Sequence, residues 1–242
     1  MIKLFKLSVL ELQKIFKTKG IYLGIVIAML FSIAIGIQAK IAPESFNSKH
    51  VMSFFSTISN LVFMVYASKS LGDEFQLKTS TQLFTSKQSR VTIILSKILS
   101  IILLSLVMAI ISAVIIILFK FVLKEQLTVT IVLSDLWVQI YTFAVYAFVV
   151  STFAILVTTI TLNTTSTIVT TLGAFFIAPS IIAMIIDKFP EFENELKLIP
   201  FYSADSLTAY HNVGLFGVIL IIAFGIIVLI SNIMLIKNMD LR

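Results

Sequence analysis

The chain has 242 residues, of which 59% are hydrophobic and only 12% are charged, and its mean hydropathy is +1.08. A soluble domain carries roughly 25% charged residues, so this composition excludes a soluble globule. The absence of cysteine excludes disulfides, thiolate metal sites and a cysteine nucleophile. The net charge of +6 comes from bases scattered beside apolar segments, a pattern that argues for membrane topology and against nucleic-acid binding.

Residues 2–18 predict an amphipathic helix that lies in the membrane interface. At 100° per residue, Phe5, Val9 and Leu12 share one side of this helix, whereas the lysines fall on another. A helix of this kind buries its apolar face among lipid chains and turns its lysines toward the headgroups.

Six further segments are apolar over about the length that crosses a hydrocarbon core of ~30 Å. They predict an all-α integral membrane protein in which residues 1–242 form a single transmembrane domain. The expected spans are residues 20–39, 51–68, 91–119, 136–162, 167–186 and 213–236. Pro179 should kink or end a helix within the fifth span, and Lys97, near the start of the third, should extend toward the interface.

The distribution of lysine and arginine predicts the orientation. The side that holds the N-terminus and the connection between spans two and three carries twice as many of these residues as the other side. By the positive-inside rule, both termini and that central connection are cytoplasmic. The expected location is the cell membrane, in which the chain is a multi-pass protein, and its Ile-, Lys-, Ser- and Thr-rich composition favours a Gram-positive source.

The sequence lacks the motifs that several kinds of chemistry require. The sequence has no GxxxxGK[ST] loop for nucleotide phosphates, no HExxH pair, and no ionisable residue in the middle of any predicted span. We therefore expect no catalytic, cofactor-binding or metal-binding residues, and no enzyme activity from this chain by itself.

Hydroxyl side chains crowd the cytoplasmic ends of spans four and five. One interpretation is a mildly polar vestibule of a transport pathway, and the other is ordinary helix packing, because a hydroxyl can bond to a carbonyl of its own helix. The candidate pathway residues are Ser151, Thr152, Thr158 and Thr170.

Small residues recur at every fourth position of the first span and form a ridge that another helix can approach closely. This small-residue ridge consists of Gly20, Gly24, Ala28, Ser32 and Gly36. It fits either packing within the chain or an interface between subunits, and the sequence leaves both open.

The longest polar interruption is the central loop, residues 69–90. It combines charges with apolar side chains that could anchor it in a groove of a partner. The candidate interface residues are Glu74, Phe75, Leu77, Thr79, Leu83, Phe84 and Arg90.

This loop resembles that of ABC-2 type transporter permeases. The family pattern has a Glu, a Thr about five residues on, a Leu four further, a Ser-Arg pair and a Lys seven beyond the Arg. In this chain the pattern falls on Glu74, Thr79, Leu83, Ser89-Arg90 and Lys97, and the ending with Asp240-Leu241 is also similar to the family's. Two features depart from the pattern: Lys78 stands where the family often has Gly, and no Pro precedes the Ser-Arg pair.

The resemblance implies that residues 69–90 form a coupling element bound to a separate cytoplasmic ABC ATPase subunit, which holds ATP and Mg²⁺. It also implies a second permease copy or a sister permease, because six spans are half of the usual pathway. The small-residue ridge is a candidate for that contact.

The outer connection, residues 187–212, is similar to the re-entrant helices of such permeases. From Asp187 to Asp205 it holds five acids and two lysines, and an acidic outer mouth could attract cationic peptides. A small permease without a large outer domain most resembles those that export peptide toxins or confer self-immunity to antimicrobial peptides. Export of drugs or lipids, and a non-transporting scaffold or sensor, are the alternatives.

Overall fold

The computed structural model describes residues 2–84, 88–209 and 213–238, and every regular element in these ranges is helical. The expected Asp240-Leu241 ending and the side chain of Leu83 lie outside the described part. The elements in chain order are α1 (Ile2–Lys17), α2 (Lys19–Ile41), α3 (Ser48–Gln76), α4 (Ser80–Phe84), α5 (Arg90–Val122), α6 (Val129–Thr161), α7 (Thr164–Leu172), a π-helical turn (Gly173–Ile177), α8 (Ala178–Lys188), a 3₁₀ turn (Pro190–Phe192), α9 (Glu193–Leu196), α10 (Pro200–Ala209) and α11 (Leu215–Asn238).

Within the described residues, six helical segments are long and apolar enough to cross a membrane. Five are α2, α3, α5, α6 and α11, and the sixth is the continuous run Thr164–Lys188. The all-α, six-span prediction is therefore confirmed for the described chain. We use "proximal end" for the end of the bundle where α1 meets the C-terminus of α3, and "distal end" for the opposite one.

Helix α3 is longer than the span predicted at residues 51–68. It begins with a capping box in which Asn47 accepts a hydrogen bond from the backbone N–H of Lys49, while the side chain of His50 receives the backbone N–H of Asn47. It ends at Gln76. Much of the predicted central loop is thus the last two turns of α3, since a helix can carry polar residues beyond the hydrocarbon core without a break.

Pro179 marks a change of helix geometry in the fifth span. The turn before it, Gly173–Ile177, is π-helical, and Pro179 is the second residue of α8. Because α8 follows the π-helical turn without a break, Pro179 lies inside a continuous helical run, and its missing N–H removes one hydrogen bond to the preceding turn.

Helices α3, α5 and α6 form the centre of the bundle. Their fully buried side chains include Phe63 of α3, Leu104 of α5 and Phe143 and Tyr146 of α6. The rings of Phe63 and Phe143 meet edge to face at 5.8 Å. Helices α2 and α11 and the segment α7–α8 lie outside this centre, and few of their residues are buried.

The small-residue ridge of α2 packs inside the chain. A Cβ at Gly24 would lie 2.8 Å from Val62 of α3, and one at Gly36 would overlap the ring of Phe119 of α5. Ala28 and Ser32, between them, are buried. Of the two alternatives, the structure therefore favours packing of the ridge within the chain. The expectation that it contacts a second subunit is corrected, because α3 and α5 already cover most of it.

Gly72 permits a close approach between backbones at the proximal end. A Cβ at this position would lie 2.9 Å from the Cα of Thr164, the first residue of α7. The neighbouring Asp73 accepts a hydrogen bond from the hydroxyl of Thr164 at 3.3 Å. The N-terminus of α7 is thereby held against the end of α3.

We predict that Gly72→Ala destabilises the protein by about 1–3 kcal/mol, because the added methyl group meets backbone that cannot rotate away. The measurement is the midpoint of thermal loss of helical circular dichroism in mild detergent. Gly173→Ala is the matched control, since a Cβ there meets nothing within 4 Å. Equal midpoints for the two variants would contradict the packing argument.

Candidate functional site

Helix α3 ends in a Schellman motif, and this motif explains the five-residue spacing between Glu74 and Thr79. The N–H of Thr79 donates to the carbonyl of Glu74 at 2.9 Å, and the N–H of Lys78 donates to the carbonyl of Phe75 at 3.1 Å. Lys78 adopts a φ of 58°. This left-handed conformation suits glycine and costs other residues roughly 1 kcal/mol. The position where the chain departs from the family pattern is thus strained.

The side chains of Glu74 and Thr79 close the same turn. The hydroxyl of Thr79 donates to Glu74 Oε2 at 2.6 Å. The five-residue spacing is therefore the spacing at which a helix-ending motif brings the two side chains together.

Lys97 is the centre of a buried charge cluster, which we define as Glu11, Lys14, Glu74 and Lys97. Its side chain is fully buried, and its ammonium group lies 3.4 Å from Glu11 and 3.8 Å from Glu74. It also donates to the carbonyl of Ser70. The expectation that Lys97 extends toward the interface was wrong, because carboxylates from α1 and α3 meet it inside the protein.

Lys14 completes the charge cluster from its exposed side. Its ammonium group lies 3.1 Å from Glu11 and 3.5 Å from Glu74. Burial lowers the pKa of Lys14, but the two carboxylates outweigh this effect and raise it above the usual 10.5. Helix α1 is thus tied by charge to α3 and α5 together.

The Ser-Arg pair at the start of α5 holds two helix ends. The hydroxyl of Ser89 accepts the N–H of Thr92 at 3.1 Å and caps α5. The guanidinium of Arg90 donates to the carbonyl of Ile236, in the last turn of α11, at 2.9 Å. A cation at a helix C-terminus also interacts favourably with the helix dipole.

The apolar candidates of the central segment divide into an inward and an outward group. Phe84 is buried and meets Phe75 with ring centroids 6.3 Å apart. Leu77, at the end of α3, is 72% exposed. Phe84 and Glu74 hold the segment in place. Among the described residues, Leu77 is the apolar candidate that stays exposed to a partner.

The candidate pathway hydroxyls are bonded within the bundle or face outward. Ser151, Thr152 and Thr158 are buried, and each donates to a carbonyl of its own helix. Thr158 also bonds to Thr167 of α7 at 3.2 Å. Thr170 is exposed. These four hydroxyls therefore fit the helix-packing interpretation in this conformation, and they do not line a common opening.

The distal end contains a cavity of about 780 Å³ between the ends of α3, α5 and α6. Glu125 accepts both the backbone N–H and the hydroxyl of Ser48 at its wall, and Lys120 pairs with Asp135. Ala209, the last residue of α10, also lines it. Within the part of the chain that is described, no three His, Asp or Glu side chains come together as a metal site requires.

Sequence reasoning missed Glu11, Lys14 and the inward direction of Lys97. The available signal was that Glu11 is the sole acid among the lysines of residues 2–18, while Lys97 is a lone base in an apolar run. An isolated charge of each sign on two apolar helices indicates a pair.

We predict that Lys97→Met destabilises the protein by about 3–5 kcal/mol, because it leaves two largely buried carboxylates close together. Lys14→Met is the control and should cost less than about 1 kcal/mol, since the Lys14 side chain is 61% exposed. Denaturant titration in detergent measures both. Adding Glu11→Gln and Glu74→Gln to Lys97→Met should recover part of the loss; equal effects of the two lysine variants would refute the central role of Lys97.

Residues 7–180 match the family model described as ABC-2 family transporter protein. This range runs from α1 into α8 and includes the charge cluster, the central segment and the Ser-Arg pair. No curated protein matches the sequence significantly. Membrane subunits of this family work with an ABC ATPase. The chain belongs to the ABC-2 family of transporter proteins and is a membrane subunit of an ABC transporter.

Proposed function

We propose that this chain is the permease subunit of an ATP-driven exporter of amphipathic or antimicrobial peptides, serving toxin export or self-immunity. Both termini and the central segment lie in the cytoplasm of a Gram-positive cell, and a separate ATPase subunit binds ATP and Mg²⁺. A second copy of the chain, or a sister permease, completes the pathway.

One observation supports the coupling of this chain to an ATPase subunit. An exposed apolar side chain at the end of α3 is attached rigidly to the bundle. Leu77 is exposed at the end of α3, while the turn beside it is closed by Glu74 and Thr79. Glu74 in turn belongs to the charge cluster that joins α1, α3 and α5. A force applied by a partner at Leu77 therefore reaches two central helices without first deforming the turn.

Movement of the ATPase subunits on binding ATP would displace this segment together with α3 and α5. Arg90 adds α11 to the same unit through its bond to Ile236. Rigid-body rearrangement of packed helices is an established way to convert such a displacement into alternating access.

The exposed apolar helices support a second membrane subunit. Helices α2 and α11 and the α7–α8 segment carry most of the large exposed apolar side chains. Lipid covers such faces in a monomer, and a second copy would replace lipid on part of them. The buried small-residue ridge is not proposed as that contact.

The peptide part of the proposal rests on the distal end. The connection after α8 carries an excess of acids, and Glu191 and Glu195 of its short helical turns are exposed. A negative rim concentrates cationic ligands. The described chain has no folded domain beyond the bundle, which fits a substrate handled within the membrane.

We predict that Leu77→Gln abolishes copurification of the ATPase in mild detergent. Removing a leucine from an apolar groove costs about 1.5–3 kcal/mol of burial, which weakens binding roughly ten- to hundredfold. Leu215→Gln is the control, because Leu215 is 79% exposed at the distal end. An ATPase retained equally by both variants would exclude Leu77 from the interface.

We further predict that the purified complex in liposomes hydrolyses ATP severalfold faster when cationic amphipathic peptides are added. Differential binding of a ligand to one conformation is what shifts such an equilibrium. An anionic peptide of equal length and hydropathy is the control. Stimulation by lipids or drugs instead would redirect the substrate assignment, and an ATPase indifferent to every ligand would favour a scaffold or sensor.

A further inference from the structure

Helix α10 is inserted into the distal half of the bundle instead of crossing it. Phe201 of this helix meets Phe175, Phe153 and Phe224 edge to face, with ring centroids 5.0, 5.5 and 5.4 Å apart. Such pairs contribute roughly 0.5–1.5 kcal/mol each beyond their burial. Aromatic contacts with three neighbouring elements thus hold α10 in its docked position.

A polar stripe on α3 leads from the distal cavity to a point beneath α10. Ser53 lines the cavity, and Ser56 and Asn60 follow at three- and four-residue steps, so the three share one face of the helix. Asn60 donates to the hydroxyl of Thr208 of α10 at 2.7 Å. Ala209, the next residue, belongs to the cavity wall. Helix α10 therefore separates the cavity from the inner part of this stripe.

The docked arrangement leaves polar atoms without partners. Ser56 Oγ, Asn60 Oδ1 and the hydroxyl of Tyr146 are buried and have no hydrogen bond among the described residues. A buried polar group left in this way costs roughly 1–3 kcal/mol. Of these residues, Asn60 bonds to Thr208 of α10 and Tyr146 interacts with Asp205 of the same helix, so the unpartnered atoms offset part of the stabilisation of docked α10 by its aromatic contacts.

Asp205 adds a titratable charge to that balance. It lies one turn before Thr208, is largely buried, and takes part in no ion pair among the described residues. Burial raises the pKa of Asp205 from its usual 3.8 to about 6.

Among the described residues, the elements packed against α10 form no ion pair with Asp205 that would offset this burial. From α6, Tyr146 is the titratable group that interacts with Asp205. The π-helical turn has none, α11 has none before Lys237, and α8 has Asp187 and Lys188 at its exposed end. The titratable groups of α3 lie at its two ends, in residues 49–50 and 66–74.

We propose that Asp205 is a proton-binding site that controls a gate: α10 stays docked when Asp205 is protonated and is released when Asp205 is ionised. Release would open the distal cavity toward Ser56 and Asn60. The proposal goes beyond the assigned transport function and holds whatever the transported molecule is.

The direction of the pH dependence follows from the thermodynamic linkage between proton binding by Asp205 and docking of α10. A carboxyl group that binds its proton more tightly in the docked state stabilises that state fully below the pKa of the released state, near 3.8, and loses this stabilisation as the pH rises to about 6. Above that value the effect is constant. Docking should therefore weaken roughly tenfold between about pH 5 and about pH 7.

Cysteine labelling tests the gate, because the chain has no native cysteine. Ala204→Cys reports release, since Ala204 is fully buried in α10. Ser206→Cys on the same helix is the reference, because Ser206 lines a separate cavity of about 410 Å³. In liposomes, the ratio of maleimide labelling rates at 204 and 206 should rise roughly tenfold between about pH 5 and about pH 7; taking this ratio cancels the pH dependence of the thiol itself.

Asp205→Asn should make that ratio low and independent of pH, whereas Asp187→Asn, at an exposed carboxylate, should leave the rise intact. A ratio that is flat in the parent, or a rise that survives Asp205→Asn, would overturn the proposal. Hydrogen exchange of α10 in the unsubstituted protein and in Asp205→Asn is a second measurement that needs no cysteine. After correction for intrinsic rates, equal pH dependence of the two proteins would likewise overturn it.

Discussion

The burial of one lysine sets the arrangement of the proximal end. An ammonium group cannot be removed from water unless carboxylates and carbonyls replace its hydration, and Lys97 receives these from Glu11, Glu74 and Ser70. The three partners lie on two different helices. Neither α1 nor α3 can shift along α5 without uncovering the charge, so a single electrostatic requirement fixes the relative positions of α1 and two central helices.

The family pattern gains a physical meaning from this arrangement. As points of contact with a partner, the residues of this pattern would have unrelated roles. In the structure several of them share one role, because they lie at helix ends and hold helix ends in place. Glu74 and Thr79 close the end of α3, Ser89 begins α5, and Arg90 holds the end of α11. Such devices keep a short exposed segment rigid, and rigidity is what a segment needs if it is to transmit a displacement instead of absorbing it.

Hydropathy was enough to predict the number and approximate place of the spans, because crossing a bilayer constrains length and composition directly. It could not give the direction of Lys97, since a lysine near a span end can reach headgroups or turn inward, and the choice depends on carboxylates distant in sequence. The left-handed Lys78 was equally hidden: its strain appears only once the end of α3 is known. The ridge of α2 was found, but its partner was not, because small residues permit close packing without specifying which helix approaches.

The two ends of the bundle differ in whether their buried charged groups have partners of opposite charge. At the proximal end each charge of the cluster has a partner within 3.8 Å, so moving one helix alone would expose or isolate a charge, and the helices must move together. At the distal end Asp205 lies largely buried without an ion pair among the described residues, and it interacts with Tyr146, whose buried hydroxyl lacks a hydrogen bond among those residues. A charge held by partners resists local motion, whereas a carboxyl group held only by burial favours release as soon as it ionises. The same membrane constraint therefore makes one end suited to transmitting force and the other suited to opening.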